Sequence, residues 1–199
     1  MKSCLFYLSL CGKYVKILSR EERAAPDRKE NEETHHEQEN DCGSTGMPCL
    51  HGYRSAVEQV GGTVLEVQYC DAQPDRAAAA MEAVMQKYPQ GVDALLVTSD
   101  DMALAAIKCI WDNNSAAYQK TVICGFDGNQ AAVEALDRGE LTVDIAQQGY
   151  EMGYKAVEAA LDALEGKSVE SVIDSGSEVI TADNIDAYIA DCREKGLWE

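Results

Sequence analysis

The feature that most constrains this fold is a regular alternation of helical patterns with short apolar runs, beginning near Gly43 and continuing along the chain. The apolar runs TVLEVQY, VDALLVT, TVICGF and LTVDIAQ span residues 63–69, 92–98, 121–126 and 141–147, and most are continuous rather than alternating. Continuous apolar strands separated by helices are typical of a parallel sheet with both faces covered. The sequence therefore predicts an α/β fold in which a parallel sheet is flanked by helices on both faces.

The segments between these runs carry the signals of helices. Pro74 occupies a first-turn position, and Gly139 follows the end of a helical pattern. Asp100 and Asp101 suit the positive start of a helix dipole. The predicted helices span residues 47–62, 74–89, 100–113, 129–139 and 150–166, and a strand, a turn and a last helix follow in 177–196.

The first 42 residues differ from the rest of the chain. Residues 20–41 contain no large apolar side chain, so they cannot bury enough surface to offset the entropy of ordering. Before them, MKSCLFYLSLCGKYVKIL has the basic start and apolar stretch of a signal peptide, but the stretch is short and no A-x-A site follows. We expect a weak export signal, a disordered or non-homologous extension over residues 1–42, and one folded domain over residues 43–199.

Composition argues against several classes of function. The formal net charge of −18, from 17 Lys and Arg against 35 Asp and Glu, repels phosphate backbones, so no nucleic-acid partner is expected. The 8 cysteines are irregularly spaced without a CxxC pair, and His35 and His36 have no further ligands beside them, so no metal or other cofactor is predicted. No convincing pair of nucleophile and base is present, and the sequence therefore predicts a protein that is not an enzyme.

Polar side chains follow several strands of the predicted sheet at the point where each strand ends. Ser99 and Asp100 follow one strand, Asp127 ends the next, and Gln147 ends another. Ligands of such sheets bind outside the carboxyl ends of the strands, and carboxylates with amides suit a polyhydroxylated ligand. The alternative is helix capping, by Asp100 and Asp101 for one helix and by Asp127 for the helix after it.

The segment CGFDG places glycines on both sides of this acidic strand end. Glycine has no side chain to cover the backbone, so a ligand can come close to the chain there. We therefore expect Gly125 and Gly128 to let a ligand approach the backbone beside Asp127.

Three segments resemble the type 1 periplasmic binding proteins, the ribose- and galactose-type sugar-binding subunits of ABC transporters. They are DALLVTSDDMALAAIKCI, TVICGFDGNQAAVEALDRGELTVDIAQQGYEMGYKAVEAAL and EVITADNIDAYI, in the family's order and spacing. The resemblance runs from about Gly43 to Trp198. It implies a two-lobed protein that closes on a sugar or cyclitol in a hinged cleft, partners a membrane permease, and is located in the periplasm or cell envelope.

The resemblance also implies roles for individual residues. Asp127 falls on the family's aspartate that accepts hydrogen bonds from sugar hydroxyls, and Gln147 falls on a glutamine near the hinge that contacts ligand. Three ligand-binding positions depart from the family pattern. Ser99 stands where an asparagine is usual, Cys49 where an arginine is frequent, and Pro74 near a position where an aromatic ring often stacks on the sugar.

A larger departure is that the family's first lobe has no counterpart before Gly43. The resemblance therefore implies a truncated product of about one lobe, in which the long helix after Gln147 lacks the surface it normally packs on. We expect an exposed apolar patch on that helix or self-association through it. The predicted stripe consists of Met152, Ala156, Ala159, Ala160 and Leu164.

Two functions remain open at this stage. The first is the sugar-binding component of an ABC transporter, truncated to about one lobe. The alternative is the effector-binding domain of a lactose-repressor-type transcription regulator, which shares the fold. That alternative needs a basic helix-turn-helix, which residues 1–42 do not supply, and repressors tend to have a second aspartate where this chain has Gly128.

Overall fold

The computed structural model describes residues 7–8, 15–16 and 48–198, with side chains for residue 50 and residues 52–198. The strands are β1 (Tyr7–Leu8), β2 (Val15–Lys16), β3 (Ala94–Leu96), β4 (Val122–Asp127), β5 (Val143–Gln147) and β6 (Ser177–Ile180). The helices are α1 (Pro48–Gln59), α2 (Pro74–Lys87), α3 (Asp100–Asp112), α4 (Gln130–Asp137), α5 (Gly149–Leu164) and α6 (Ile185–Glu194). The predicted extension over residues 1–42 lies outside the described residues apart from β1 and β2, whose backbones pair antiparallel.

The central sheet has four strands in the order β3-β4-β5-β6. β3 and β4 run parallel with Leu96 opposite Cys124, and β4 and β5 run parallel with Asp127 opposite Ala146. β6 runs antiparallel to β5. The predicted α/β fold with a mainly parallel sheet is thus confirmed, and only its last strand reverses direction. The register brings the carboxyl ends of β4 and β5 side by side.

The core lies between the sheet and its helices. Every residue of β3 is buried, as a strand with helices on both faces requires. α2 and α3 pack against each other, and α3 also contacts β4 and α4. The largest fully buried side chains come from the helices, strands and connecting segments alike: Val57, Met81, Leu95, Met102, Tyr118, Leu141 and Ile180.

The strand predicted over residues 63–69 is not formed. Residues 62–70 have no regular secondary structure, although most of them are half-buried. Leu65 packs against the core, and Glu66 accepts a hydrogen bond of 2.7 Å from the Lys87 ammonium group of α2. Alternation of apolar residues reports burial on one side, and here side-chain contacts hold the segment without a strand ladder. The prediction was wrong because burial does not require a hydrogen-bonded neighbour strand.

α5 stands apart from the core. It contains no buried residue, and within the described part of the chain its half-covered positions are mainly the polar ones. It exposes six large apolar side chains, namely Tyr150, Met152, Tyr154, Val157, Leu161 and Leu164. Of the predicted stripe, Met152, Ala156, Ala160 and Leu164 are exposed, whereas Ala159 is half-buried. The exposed apolar patch is therefore present on this helix, and self-association through it stays a prediction.

None of the helices in residues 48–198 combines the length and apolar composition that crossing a bilayer requires.

Candidate functional site

The site is built around Asp127, the last residue of β4. Its backbone has a φ of +129°, a conformation that residues with a side chain rarely adopt. The side-chain amide nitrogen of Gln147, the last residue of the neighbouring strand β5, donates a hydrogen bond to Asp127 Oδ1. The structure therefore brings the two strand-end residues that the sequence singled out into direct contact. Backbone strain of this kind concentrates at functional positions.

The carboxyl group of Asp127 is half-buried, and this burial raises its pKa. The hydrogen bond from Gln147 and the backbone N–H of Asp100 act in the opposite direction because both stabilise the charged form. The nearby charge of Asp101 raises the pKa further. The arrangement is a carboxylate held by amide donors, which still faces the rim and has acceptor capacity for a hydroxyl group.

Asp100 lies beneath this rim and not on it. Its side chain is 0% exposed although it begins α3. Oδ1 accepts the backbone N–H of Phe126 at 2.9 Å, and Oδ2 accepts the backbone N–H of Asn129 at 2.8 Å. Asp100 therefore clamps residues 126–129, which we call the binding loop, by its two ends. The predicted cap of its own helix is replaced by a link between α3 and this loop.

The helix that follows the binding loop is capped by a different residue from the one considered in the sequence. Asn129 is the N-cap of α4, and its Oδ1 accepts the backbone N–H of Ala132 at 2.9 Å. The backbone N–H of Asn129 is already bonded to Asp100. Capping of α4 by Asp127 is thus not what the structure shows, and Asp127 is left to the rim.

The remaining candidate residues are Ser99, Pro74 and Cys49. Ser99 is the N-cap of α3, buried and extended, without a side-chain capping bond. Pro74 is exposed at the first position of α2, as its fixed φ favours. Cys49 lies in α1, and its side chain is outside the described residues. Ser99 adjoins the residues of the binding loop through its neighbour Asp100.

The two glycines of the loop region make room for the protein itself. A Cβ on Gly125 would lie 2.7 Å from Asp100 Oδ1, and a Cβ on Gly128 would lie 2.5 Å from Ala146 Cβ and 2.7 Å from Tyr188 Oη. Gly128 also has a φ of +79°. The prediction that these glycines open the backbone to a ligand was wrong, because their side-chain positions point into packed atoms.

Sequence analysis missed two residues that support the loop. Tyr188 of α6 donates a hydrogen bond of 3.2 Å to the carbonyl oxygen of Gly128. Asp144 of β5 is 0% exposed and makes no well-formed hydrogen bond in the described part of the chain, although it lies close to the backbone N–H group of Gly128 in the loop. The acid within the apolar run LTVDIAQ was a visible signal for Asp144. The contact of Tyr188 joins residues 60 positions apart, which no local pattern reports.

The described residues offer no metal centre. They contain no group of three or more His, Cys, Asp or Glu side chains arranged to hold an ion. The cysteines with described side chains are buried and form no disulfide, namely Cys70, Cys109, Cys124 and Cys192. Burial raises the pKa of Cys70 to about 11 and of Cys124 to about 12, so these thiols are protonated and inert at neutral pH.

Comparison with known proteins identifies a family and several relatives of this chain. A family model described as a periplasmic binding protein domain matches residues 38–168. The ribose import binding protein RbsB of Bacillus subtilis is 36% identical over 110 residues, which are 55% of this chain and 34% of that protein. The transcriptional regulator CelR of Thermobifida fusca is 29% identical over 130 residues, 64% of this chain and 37% of the regulator.

A solved structure extends the similarity to the fold. The solute binding protein of an ABC transporter from Bacillus halodurans C-125, with bound myo-inositol, superposes with a TM-score of 0.61 at 26% identity. The superposition covers 71% of this chain and 48% of that one. The chain thus spans between about a third and a half of the length of the relatives it matches.

Proposed function

The chain belongs to the family of periplasmic binding protein domains, and we propose that it binds a sugar or cyclitol as the solute-binding component of an ABC transporter. One observation carries this proposal. The carboxylate of Asp127, a residue with a strained backbone, meets the side-chain amide of Gln147 at the carboxyl ends of two parallel strands. This is the place where sheets of this class bind ligands, and the donor and acceptor types suit a ring with several hydroxyl groups.

In this mechanism Asp127 accepts a hydrogen bond from a ligand hydroxyl, and Gln147 fixes the carboxylate and offers its own amide. Asp100 contributes from below by holding the two ends of the binding loop. The work is recognition without bond making or breaking, so we propose a binding protein and no catalytic activity. The ribose and myo-inositol named for its relatives support the ligand class.

Partner and location follow from the family and form part of the proposal. The relative from Bacillus halodurans is described as a component of an ABC transporter, which supports a membrane permease as the partner. The family description supports the periplasm or cell envelope as the location.

The second candidate is the effector domain of a transcription regulator. The similarity to CelR supports it, at lower identity than the similarity to the ribose import binding protein. The net charge of −18 disfavours contact with DNA by this chain. Both candidates bind a small ligand, so co-isolation with a permease in membranes, against retention on operator DNA, distinguishes them.

The test of ligand binding is thermal unfolding of the chain against a panel of pentoses, hexoses and cyclitols. A ligand that binds only the folded state at a hundredfold excess over Kd adds about 2.7 kcal/mol of stability, which raises Tm measurably. We expect one member of the panel to raise Tm and Asp127→Ala to abolish the shift. Asp137→Ala, an exposed acid on α4, is the matched control and should retain it. A cooperative melt that no compound shifts would refute the proposal.

A further inference from the structure

Two carboxyl groups lie together in the interior, and the proposed binding mechanism uses only one of them. Asp100 of α3 and Asp144 of β5 are each 0% exposed. A Cβ built on Gly125, in β4 between them, would lie 2.7 Å from Asp100 Oδ1 and 3.4 Å from Asp144 Oδ1. Both carboxyl groups therefore line the same side-chain-free space beside Gly125. The absence of a side chain there is what lets the two acids approach each other.

The two acids have unequal partners. Asp100 accepts two backbone N–H groups, from Phe126 and Asn129, and stands in the first turn of α3. Asp144 makes no well-formed hydrogen bond in the described part of the chain. Burial raises its pKa, and the Asp100 carboxyl group and the backbone N–H groups of Ile145 and Gly128 are close enough to oppose that rise. In residues 48–198 no ion pair joins Asp100, Asp127 or Asp144 to a lysine or arginine. Two buried negative charges beside the same residue, without a cation to compensate them, are strongly unfavourable.

Among the described residues, no lysine or arginine acts on the pair. The ionisable group of another element that acts on both members of the pair is the carboxyl group of Asp127, which is itself influenced by Asp101. The pair acts on the thiol of Cys124, and Asp144 acts on the phenol of Tyr188, whose further neighbours are Glu178 and Cys192. Burial raises the pKa of Cys124 and of Tyr188, so both are neutral at physiological pH. A bound ion does not resolve the repulsion either, since the described residues hold no cluster suited to a metal.

We infer that Asp100 and Asp144 act as a coupled carboxyl pair that keeps one proton near neutral pH, and that Asp144 is thereby a positioning residue for the binding loop. With one proton on the pair, Asp100 stays between Phe126 and Asn129 and holds Asp127 on the rim. When that proton is lost, two like charges share the space beside Gly125. Repulsion then moves Asp100 away from the loop amides, and the loop loosens.

The direction of the pH effect follows from the pair. Burial, followed by the charge of Asp144, raises the pKa of Asp100 to about 8, and burial raises the pKa of Asp144 to about 6. The folded state then binds more protons than the unfolded state above the ordinary carboxyl pKa of about 4. The contribution of the pair to stability is therefore fully present at about pH 4 and below, and it is lost as pH rises from about 4 to about 8.

The first experiment measures denaturant unfolding of the full chain without ligand between about pH 5 and about pH 8, where a carboxyl pair of this kind titrates. We expect the unfolding midpoint of the unsubstituted chain to fall across this window. Asp144→Asn keeps the side-chain shape without the charge, so most of the fall should vanish. Asp137→Asn, an exposed acid on α4, should leave it unchanged. An equal fall in the chain and in Asp144→Asn would overturn the inference.

A second measurement does not depend on a variant that folds. Carboxyl carbon resonances of the unsubstituted chain should show that one member of the pair keeps its proton well above pH 5, and that the Phe126 and Asn129 amide signals move with its titration. Titration of both carboxyls near their ordinary value of about 4, or loop amides indifferent to pH, would contradict it. Both measurements are made without ligand, so a failed sugar screen leaves them intact. A looser loop should also weaken sugar binding as pH rises, and only this corollary rests on the proposed function.

Discussion

At the scale of single residues, the chain places backbone strain at the position proposed to contact ligand. Asp127 has a φ of +129° and is fixed between the amide of Gln147 and the start of α3. A residue in this conformation costs about 1–3 kcal/mol relative to a relaxed one. The hydrogen bonds that Asp100 and Tyr188 make with the backbone of the binding loop offset this cost. Local backbone preference therefore does not explain an aspartate at this position, and the proposed contact with ligand would explain it.

This strain is testable with two substitutions at one position. Asp127→Ala and Asp127→Gly both remove the carboxylate and differ only by a methyl group. Alanine ordinarily gives the more stable protein, by about 0.4–1 kcal/mol, because glycine has more freedom in the unfolded chain. At a φ of +129° we expect the reverse, with Asp127→Gly more stable by about 1 kcal/mol in urea denaturation. An alanine variant as stable as the glycine variant would show that the conformation is relaxed.

At the scale of elements, α5 differs from every other helix for which burial is described from end to end. α2, α3, α4 and α6 each bury between three and seven residues, whereas α5 buries none. Its apolar stripe is thus not part of the core that holds this domain together. Since helical stability in proteins comes mainly from burying an apolar face, α5 should be the least protected helix.

The contribution of α5 is measured by one chemical change made at two places. Leu161 in α5 is 55% exposed, whereas Leu141 before β5 is 2% exposed. Leu161→Ala should change the free energy of unfolding by less than about 0.5 kcal/mol. Leu141→Ala should cost about 2–5 kcal/mol through lost burial and a cavity. If the effect of Leu161→Ala on the free energy of unfolding depends on protein concentration, the chain self-associates through the exposed apolar face of α5.

At the scale of the whole molecule, charge is the dominant feature. A net charge of −18 on 199 residues makes the folded chain repel itself. The ion pairs in the described part of the chain are formed by largely exposed side chains, which contribute little individually. We therefore expect long-range repulsion among acids to influence stability more than any one ion pair.

This repulsion predicts a specific response to salt. The Debye length falls from about 30 Å at 0.01 M to about 10 Å at 0.1 M, so added salt screens charges spread over the surface. We expect Tm to rise by roughly a few degrees between these two salt concentrations. Sodium chloride and choline chloride should act equally if screening is the cause. A rise with sodium alone would indicate specific cation binding, and no rise would show that the acidic groups are too far apart to matter.

The sequence by itself determined most of the alternation of strands and helices and the position of Asp127 and Gln147 at strand ends on one edge of the sheet. Both follow from local periodicity and from the rule that parallel strands end on one edge. The four-stranded order, the antiparallel β6 and the absence of a strand over residues 63–69 depend on which segments become neighbours, and periodicity reports burial without naming the neighbour.

The roles of individual polar groups were decided only by the tertiary structure. Asp100 is a clamp for the binding loop instead of a cap or ligand contact at the rim, because its carboxyl group meets amides 26 and 29 residues away. Gly125 and Gly128 make room for packed protein atoms from other elements. Asp144 gains its significance from lying beside Asp100, although 44 residues separate the two in the chain. Electrostatic coupling acts through space, so only the folded chain assembles it.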